Sequence, residues 1–358
     1  MSASSKKVLI RCDAAPEIGF GHVVRCLALA DELRDSHGCH VDFAMLRGAQ
    51  GVAQVQAQGY AVYQPAEGGE QLDEGHWLQE LIAKCQHQVL ILDVRTDLAS
   101  AAVNSIRASG VLIVTIDDAS ERRLLADLAF YPPVPQVERL DWTGFTGQRF
   151  VGWDWVLLRP QFAEVAQRAR ERKSELQDDP PSTDGRRTLL VTMGGSDPAG
   201  LTLMAVEAIE KIDGDFRVLV VIGGGFVHDA ALAEWLAKAK RSYEICRNVA
   251  DMAALMAEVD LAVTSFGVTA YELAAIGVPA VYLCLTEDHA ESARALERAG
   301  YGISLGFNNP NSAIKIIEII GSLAAKKVED FNGAAREKID GLGAKRIVQS
   351  IEDKFLAR

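Results

Sequence analysis

Short apolar runs alternate with longer amphipathic segments along the first half of the chain. Their lengths predict strands at residues 8–10, 41–45, 89–92 and 111–116, and helices at 23–33, 76–84 and 99–108. This alternation is typical of parallel α/β layers. It predicts one sheet whose ligand-binding edge lies at the carboxyl ends of the strands, where Asp93, Asp117 and Asp118 occur.

The same rhythm restarts in the second half and predicts a second Rossmann-like sheet. Strands are expected at residues 189–192, 216–222, 261–263 and 280–283, with a helix from about 199. Between the halves, a polar stretch rich in Pro, Gly and Asp follows a charged helix and has the composition of a linker. We therefore divide the chain into four parts. These are an amino-terminal Rossmann-like domain (1–160), a linker helix with its polar segment (161–187), a second Rossmann-like domain (188–327) and a last helical tract (328–358) that is long enough to cross back.

Composition is that of an ordinary globular protein large enough for two cores. The chain has 358 residues, of which 49% are hydrophobic and 24% charged. Its net charge of −12 argues against a nucleic-acid or anionic membrane surface. No signal peptide or membrane-spanning run is apparent, and the six cysteines are scattered without metal-ligand spacing. We expect a cytoplasmic protein with reduced thiols and no metal; protein partners are left open.

A glycine-rich segment, RCDAAPEIGFGH, joins the first strand to the first helix. Gly19 and Gly21 allow positive φ and a close backbone approach to an anion, and the helix is expected to begin at about His22. At that end of the helix the dipole favours a neutral, basic imidazole. A tight turn holding a structural histidine is the alternative. The spacing fits neither a dinucleotide fingerprint nor a P-loop.

A second glycine-rich turn, MGGSDP, lies between a predicted strand and a helix. The backbone at Gly194 and Gly195, with the Ser196 hydroxyl, could meet phosphate or sugar oxygens. Asp197 could instead simply cap the helix.

The segment TSFGVTAYE has the same layout. Ser265, Gly267 and Thr269 could donate to a diphosphate at the helix amino terminus, and Glu272 could accept from ribose hydroxyls. A surface glutamate is the alternative for Glu272. Gly277 is expected to end this helix.

Four segments together resemble a known group of proteins. IGFGHVVRCLALA, LLRPQF after the two tryptophans at 153 and 155, MGGSDP and SFGVTAYELAAIGVP occur in the order found in PseG and SpsG-like proteins. The resemblance extends from residue 8 to about 306. It implies an α/β protein of the GT-B fold, related to MurG-type glycosyltransferases, in which two Rossmann-like domains with parallel sheets face a central cleft.

The resemblance also implies an activity, the hydrolysis of a UDP-linked 2,4-diacetamido-2,4,6-trideoxy sugar on the route to pseudaminic acid. It requires neither cofactor nor metal. It makes His22 the general base that activates water for inverting attack at C1, and it places uracil near Asn248 and Val249. Asp13 and Arg25 are further candidates for substrate and phosphate binding.

The chain departs from this group at three places. Arg95 stands where the group has a tyrosine, and the pair Asp288 and His289 replaces an asparagine and a glutamine. Val268 replaces one glycine of the phosphate loop. Arg95, Asp288 and His289 are candidate sugar contacts, although helix capping is the favoured role for the Asp–His pair.

Two other functions stay open. A glycosyltransferase of the same fold would use His22 on an acceptor hydroxyl, with residues 122–125 as the only candidate patch for a lipid-linked acceptor. A non-catalytic nucleotide-sugar binding protein is the second alternative.

Overall fold

A computed structural model describes residues 5–14, 19–65, 72–96, 98–175, 186–247, 249–324 and 339–356. The chain forms two compact units. The first consists of Met1–Arg159 together with Leu342–Arg358, and the second of Pro160–Gly341.

The first unit is built on a seven-stranded parallel sheet with the order β3-β2-β1-β4-β5-β6-β7. Its strands are β1 (Lys7–Cys12), β2 (His40–Ala44), β3 (Ala61–Tyr63), β4 (Val89–Asp93), β5 (Leu112–Ile116), β6 (Leu128–Tyr131) and β7 (Gln148–Val151). The α-helices in its amino-terminal part are α1 (Gly21–Asp35), α2 (Ala49–Ala57), α3 (Glu74–Cys85) and α4 (Ser100–Ala108). The strands β4 and β5 are buried along their whole length because both faces of the sheet are covered.

The second unit is built on a six-stranded parallel sheet with the order β10-β9-β8-β11-β12-β13. Its strands are β8 (Arg187–Thr192), β9 (Phe216–Ile222), β10 (Tyr243–Arg247), β11 (Leu261–Ser265), β12 (Ala280–Cys284) and β13 (Gly302–Phe307). Its helices are α5 (Pro160–Glu175), α6 (Leu201–Ile209), α7 (Asp229–Leu236), α8 (Met252–Ala257), α9 (Val268–Ile276), α10 (Glu287–Arg298) and α11 (Ser312–Ala324). The prediction of two parallel α/β sheets is confirmed.

The two segments that we assigned to a linker and to a last helical tract each pack within one unit. Helix α5 packs against α8 and α9 of the second unit. The polar residues 176–185 lie outside the described residues, as do 325–338. The last helix, α12 (Gly343–Leu356), packs against α1 and the 3-10 helix Trp153–Trp155, and its apolar face joins the core of the first unit.

Candidate functional site

The predicted glycine loop of the first unit lies where the strand order of its sheet reverses. From β1 the chain moves outward through β2 and β3, and then returns to β4 on the other side of β1. Loops that leave two such neighbouring strands diverge and open a crevice at the carboxyl edge of the sheet. Cys12 of β1 pairs with Asp93 of β4, so the ends of both strands meet at this point.

Local conformation at the loop differs in part from the prediction. Gly19 has a φ of 75°, a left-handed conformation that favours glycine. Gly21 is the first residue of α1 and does not use the positive φ that glycine allows. Helix α1 thus begins one residue before His22, and His22 lies in its first turn.

His22 forms a close pair with Asp93. The Nδ1 atom of His22 lies 2.6 Å from Oδ1 of Asp93. An ionised carboxylate can only accept, so Nδ1 carries the proton, and in the neutral ring Nε2 keeps its lone pair. Among the residues that the structure describes, none makes a hydrogen bond to Nε2. The pair therefore has the orientation that a general base needs.

Asp93 is held in its ionised form by several donors. Its side chain is 1% exposed, and its Oδ2 accepts from Arg25 Nε at 2.5 Å and from the Cys26 thiol at 3.4 Å. Burial alone would raise the pKa of Asp93, but the charges of Arg25 and His22 outweigh this effect and hold the pKa well below its usual range. Asp93 was noted in the sequence only as a residue at a strand end. What distinguishes Asp93 from the other aspartates at strand ends is its pairing with Cys12 of β1.

Arg25 is part of this network. Burial lowers the pKa of Arg25, but the neighbouring carboxylates more than compensate and raise it. Its Nη1 atom lies 3.4 Å from Oδ2 of Asp117, and Nη2 of Arg95 donates to the same oxygen at 3.2 Å. Arg25 and Arg95 were predicted to contact substrate. In the structure Arg25 binds two carboxylates, whereas the side chain of Arg95 is nearly half exposed.

Asp13, a predicted substrate contact, is buried and engaged elsewhere. Its Oδ1 accepts from the backbone N–H groups of Leu46 and Arg47 at 2.7 and 3.0 Å, and Oδ2 lies 2.7 Å from Arg11 Nη2. Asp13 and Arg11 are both almost without solvent exposure. Asp13 therefore fixes the start of the loop that follows β2.

The predicted phosphate loops of the second unit lie at the equivalent reversal in the order of its strands, between β8 and β11. Thr192 and Thr264 pair in register near the ends of these strands. Gly194 has a φ of 74°, and a Cβ atom placed on it would lie 3.8 Å from Oγ of Ser265. The structure thus brings the MGGSDP and TSFG loops together, and the backbone N–H groups of a strand-to-helix loop suit an anion.

Within MGGSDP, the capping alternative is confirmed for Asp197. Its two carboxylate oxygens accept from the backbone N–H groups of Leu201 and Thr202, both at 2.8 Å. Its φ of 45° is left-handed, which is uncommon for a residue other than glycine. Ser196 is buried beside it.

A third glycine loop, which sequence reasoning missed, packs against the MGGSDP loop. It follows β9 at residues 223–225, and the N–H of Gly225 donates to the carbonyl of Gly195 at 2.9 Å. A Cβ atom on Gly223 would lie 2.4 Å from that same oxygen. The run of three glycines directly after an apolar strand is the signal that could have identified this loop.

Helix α9 carries the remaining predicted nucleotide contacts. Gly267 is its N-cap residue, and Val268 and Thr269 are its first two residues. Glu272 is 4% exposed, so the alternative of a surface glutamate is wrong. The expected end at Gly277 is confirmed by its left-handed C-cap conformation, with a φ of 84°.

The remaining predicted residues lie after other strands of the second unit. Thr286, and not Asp288, caps α10, since its hydroxyl accepts from the N–H of His289 at 3.1 Å. Asp288 lies in the first turn, and the His289 ring is 5.8 Å from that of Phe266. Val249 follows β10 and is half-buried. Asn248 lies outside the described residues.

Three sequence relatives are similar to most of this chain. An uncharacterized protein, MJ1062 of Methanocaldococcus jannaschii, is 26% identical over 78% of the chain, which spans only 56% of that protein. The spore coat polysaccharide biosynthesis protein SpsG of Bacillus subtilis is 23% identical over 97% of the chain and 98% of its own length. The UDP-2,4-diacetamido-2,4,6-trideoxy-beta-L-altropyranose hydrolase of Campylobacter jejuni is 23% identical over 83% of the chain and 98% of its own length. No model of a protein family matches the chain.

Solved structures are similar over nearly the whole chain. MurG of Acinetobacter baumannii superposes with a TM-score of 0.69 at 18% identity, covering 97% of this chain and 99% of its own. The UDP-GlcNAc 2-epimerase of Neisseria meningitidis, solved with UDP-GlcNAc, has a TM-score of 0.61 at 12% identity, with 97% and 100% covered. The fold is therefore of the GT-B class. Within that class, the sequence relatives support a PseG and SpsG-like family.

In the part of the chain that the structure describes, no helix is both long and apolar enough to cross a membrane. Over the same residues, no group of three or more His, Cys, Asp and Glu side chains is arranged to hold a metal ion.

Proposed function

We propose that this protein is a nucleotide-sugar hydrolase that releases UDP and free sugar from a UDP-linked 2,4-diacetamido-2,4,6-trideoxyhexose, in the biosynthesis of a pseudaminic-acid-type sugar. The observation that carries the proposal is the pairing of His22 Nδ1 with Asp93 at the crevice of the first unit. The name of the Campylobacter relative supplies the substrate class. SpsG, similar over nearly its whole length, is also named for polysaccharide biosynthesis.

The reaction begins when Nε2 of His22 removes a proton from a water molecule. The water oxygen forms a bond to C1 of the sugar while the bond from C1 to the diphosphate oxygen breaks, so the configuration at C1 inverts. UDP leaves with the bonding electron pair. Asp93 stabilises the imidazolium that forms and keeps its ring oriented, as the carboxylate of a catalytic triad does.

The second unit would bind the nucleotide. The loops at Gly194, Gly195 and Ser265 and the first turn of α9 lie at one edge of the sheet. In this proposal their backbone N–H groups stabilise the leaving diphosphate. In this proposal Glu272 accepts from the ribose hydroxyls and Val249 lies near uracil.

The same His–Asp pair could deprotonate an acceptor hydroxyl in a glycosyltransferase, and the similarity to MurG favours this as the second candidate. A glycosyltransferase with a lipid-linked acceptor was expected to have an accessible basic patch at residues 122–125. These residues do not form one, because Arg122 and Arg123 are each only 5% exposed. Arg122 donates to Thr96 and Leu98 carbonyls, and Arg123 to the carbonyl of Ser120.

The test is to incubate the protein with the UDP-2,4-diacetamido sugar without acceptor or metal, and to follow UDP and the anomer of the released sugar by NMR. We expect UDP with an inverted anomer, and a loss of about a thousandfold or more in kcat for His22→Ala, since general-base catalysis contributes about 10²–10⁴-fold. Release only after addition of an acceptor would assign a transferase. Binding without any turnover would indicate a non-catalytic binding protein.

The nucleotide half is tested separately with Glu272→Ala. We expect UDP to bind at least about tenfold more weakly, because hydrogen bonds to a charged group contribute about 1.5–3 kcal/mol. Calorimetric titration measures the affinity, and circular dichroism checks the fold. Glu258→Ala, at a side chain that is 71% exposed, is the matched control. Unchanged affinity in Glu272→Ala would exclude the ribose contact.

A further inference from the structure

A second pair of charged side chains lies beside the His22–Asp93 pair. Arg95 Nη2 donates to Asp117 Oδ2 at 3.2 Å, and Arg25 Nη1 lies 3.4 Å from the same oxygen. Arg25 also holds Asp93, so one guanidinium group separates Asp117 from the carboxylate that orients the base. The pair of Arg95 and Asp117 is therefore close to the reacting centre that we propose.

This pair keeps hydrogen-bonding capacity for a ligand. The side chain of Arg95 is 48% exposed and that of Asp117 22% exposed. Within the described residues, the side chain of Arg95 makes a hydrogen bond only to Oδ2 of Asp117, and Oδ1 of Asp117 accepts no hydrogen bond. Donors of a guanidinium group and an acceptor of a carboxylate thus lie side by side.

The acceptor is held in a fixed position. Asp117 has a φ of 53°, a left-handed conformation that is uncommon for a residue other than glycine. Its backbone N–H donates to the carbonyl of Phe130 at 2.8 Å, at the end of β5. Such conformations persist where the surrounding structure enforces them, and they concentrate at functional sites.

A secondary amide matches this arrangement. Its carbonyl oxygen accepts from the guanidinium and its N–H donates to the carboxylate, from two neighbouring atoms of one planar group. A hydroxyl group offers both functions from a single oxygen and cannot span the pair as well, and a carboxylate on the ligand would be repelled by Asp117. The pair is thus complementary to an acylamino group.

We propose that Arg95 and Asp117 bind an acylamino substituent of the sugar and make this protein selective for N-acylated amino sugars. The inference rests on the proposed function, and it assigns the recognition of one acetamido group to side chains of the first unit.

The test measures binding by calorimetric titration in a His22→Ala background, which prevents turnover. The ligands are UDP, the UDP-2,4-diacetamido-2,4,6-trideoxyhexose, and two analogues in which one or the other acetamido group is replaced by hydroxyl. We expect one analogue to bind about tenfold more weakly than the diacetamido sugar, because the charged pair loses its amide partner. Arg95→Gln should remove this difference, and Arg95→Lys should restore it only in part, since lysine lacks the planar fork.

The matched control is Arg34→Gln. Arg34 is also an ion-paired arginine of the first unit, with a side chain that is 41% exposed, and it lies on α1. The control should keep the full discrimination between ligands. If both analogues bind as tightly as the diacetamido sugar, or if the difference survives in Arg95→Gln, the inference is overturned while UDP binding still supports the proposed function. Absence of UDP binding would instead overturn the proposed function, and the inference with it.

Discussion

Asp93 is the residue at which the charges of the first unit converge. It is buried, it binds Arg25 and His22, and its pKa is lowered by them despite the opposing effect of burial. A carboxyl group whose pKa is lower in the folded than in the unfolded state stabilises the fold above its unfolded pKa, about 4. That contribution is lost as the pH falls below this value.

We therefore expect Asp93→Asn to be destabilised most at neutral pH, because Arg25 is left without its closest counter-charge. The difference in unfolding midpoint between Asp93→Asn and the parent protein should shrink as the pH falls below about 4. Urea unfolding at a series of pH values measures it. Asp35→Asn, at a side chain that is 62% exposed, is the control and should change little. A constant difference at all pH values would contradict the charge argument.

At the level of single residues, sequence reasoning found His22 but not its partner. The glycine loop marks His22 because glycine and histidine at a strand-to-helix turn are a local pattern. Asp93, Asp117 and Asp118 all follow strands and look equivalent in the sequence. Only the pairing of β4 with β1 brings Asp93 to His22, and such a nonlocal relation cannot be derived from spacing.

Among the structural elements, the glycine loops after β8 and β9 of the second unit are in close backbone contact. We expect Gly223→Ala to weaken UDP binding by about tenfold or more and to lower stability by about 1–3 kcal/mol, because its Cβ would overlap the Gly195 carbonyl. Calorimetric titration and urea unfolding measure the two effects. Gly224→Ala is the matched control, since a Cβ there has no atom within 4 Å. Equal behaviour of the two variants would show that the loops do not depend on this contact.

The element boundaries show what local pattern can and cannot predict. The strand at 216–222 was predicted with the bounds that the structure has, because it is a run of apolar and β-branched residues interrupted only by Arg217. The strand β10 was missed since its exposed polar positions alternate with half-buried ones at the edge of the sheet. The strand β3 has only three residues. Edge strands are shaped by pairing with a neighbour, and their own sequence carries a weaker signal.

For the whole molecule, α12 completes the core of the first unit. Ile347 of α12 has no solvent exposure and belongs to the same apolar cluster as β1 and α1. We expect Ile347→Ala to destabilise the protein by about 2–5 kcal/mol, measured by urea unfolding, because it leaves a cavity in that cluster. Leu356→Ala, in the same helix but at a residue 78% exposed, should change stability by less than about 0.5 kcal/mol. Similar losses in both variants would argue against this packing.

The placement of α12 also sets an order of events during synthesis. The second unit is one continuous piece of chain, whereas the first needs residues from both sides of it. On the ribosome, the piece in the middle has all its residues before the last helix has been made. The sheet of the first unit is translated earlier, but the unit gains α12 only after the second unit has been translated. Until then, the apolar face that α12 covers is exposed on the nascent chain and needs protection from aggregation.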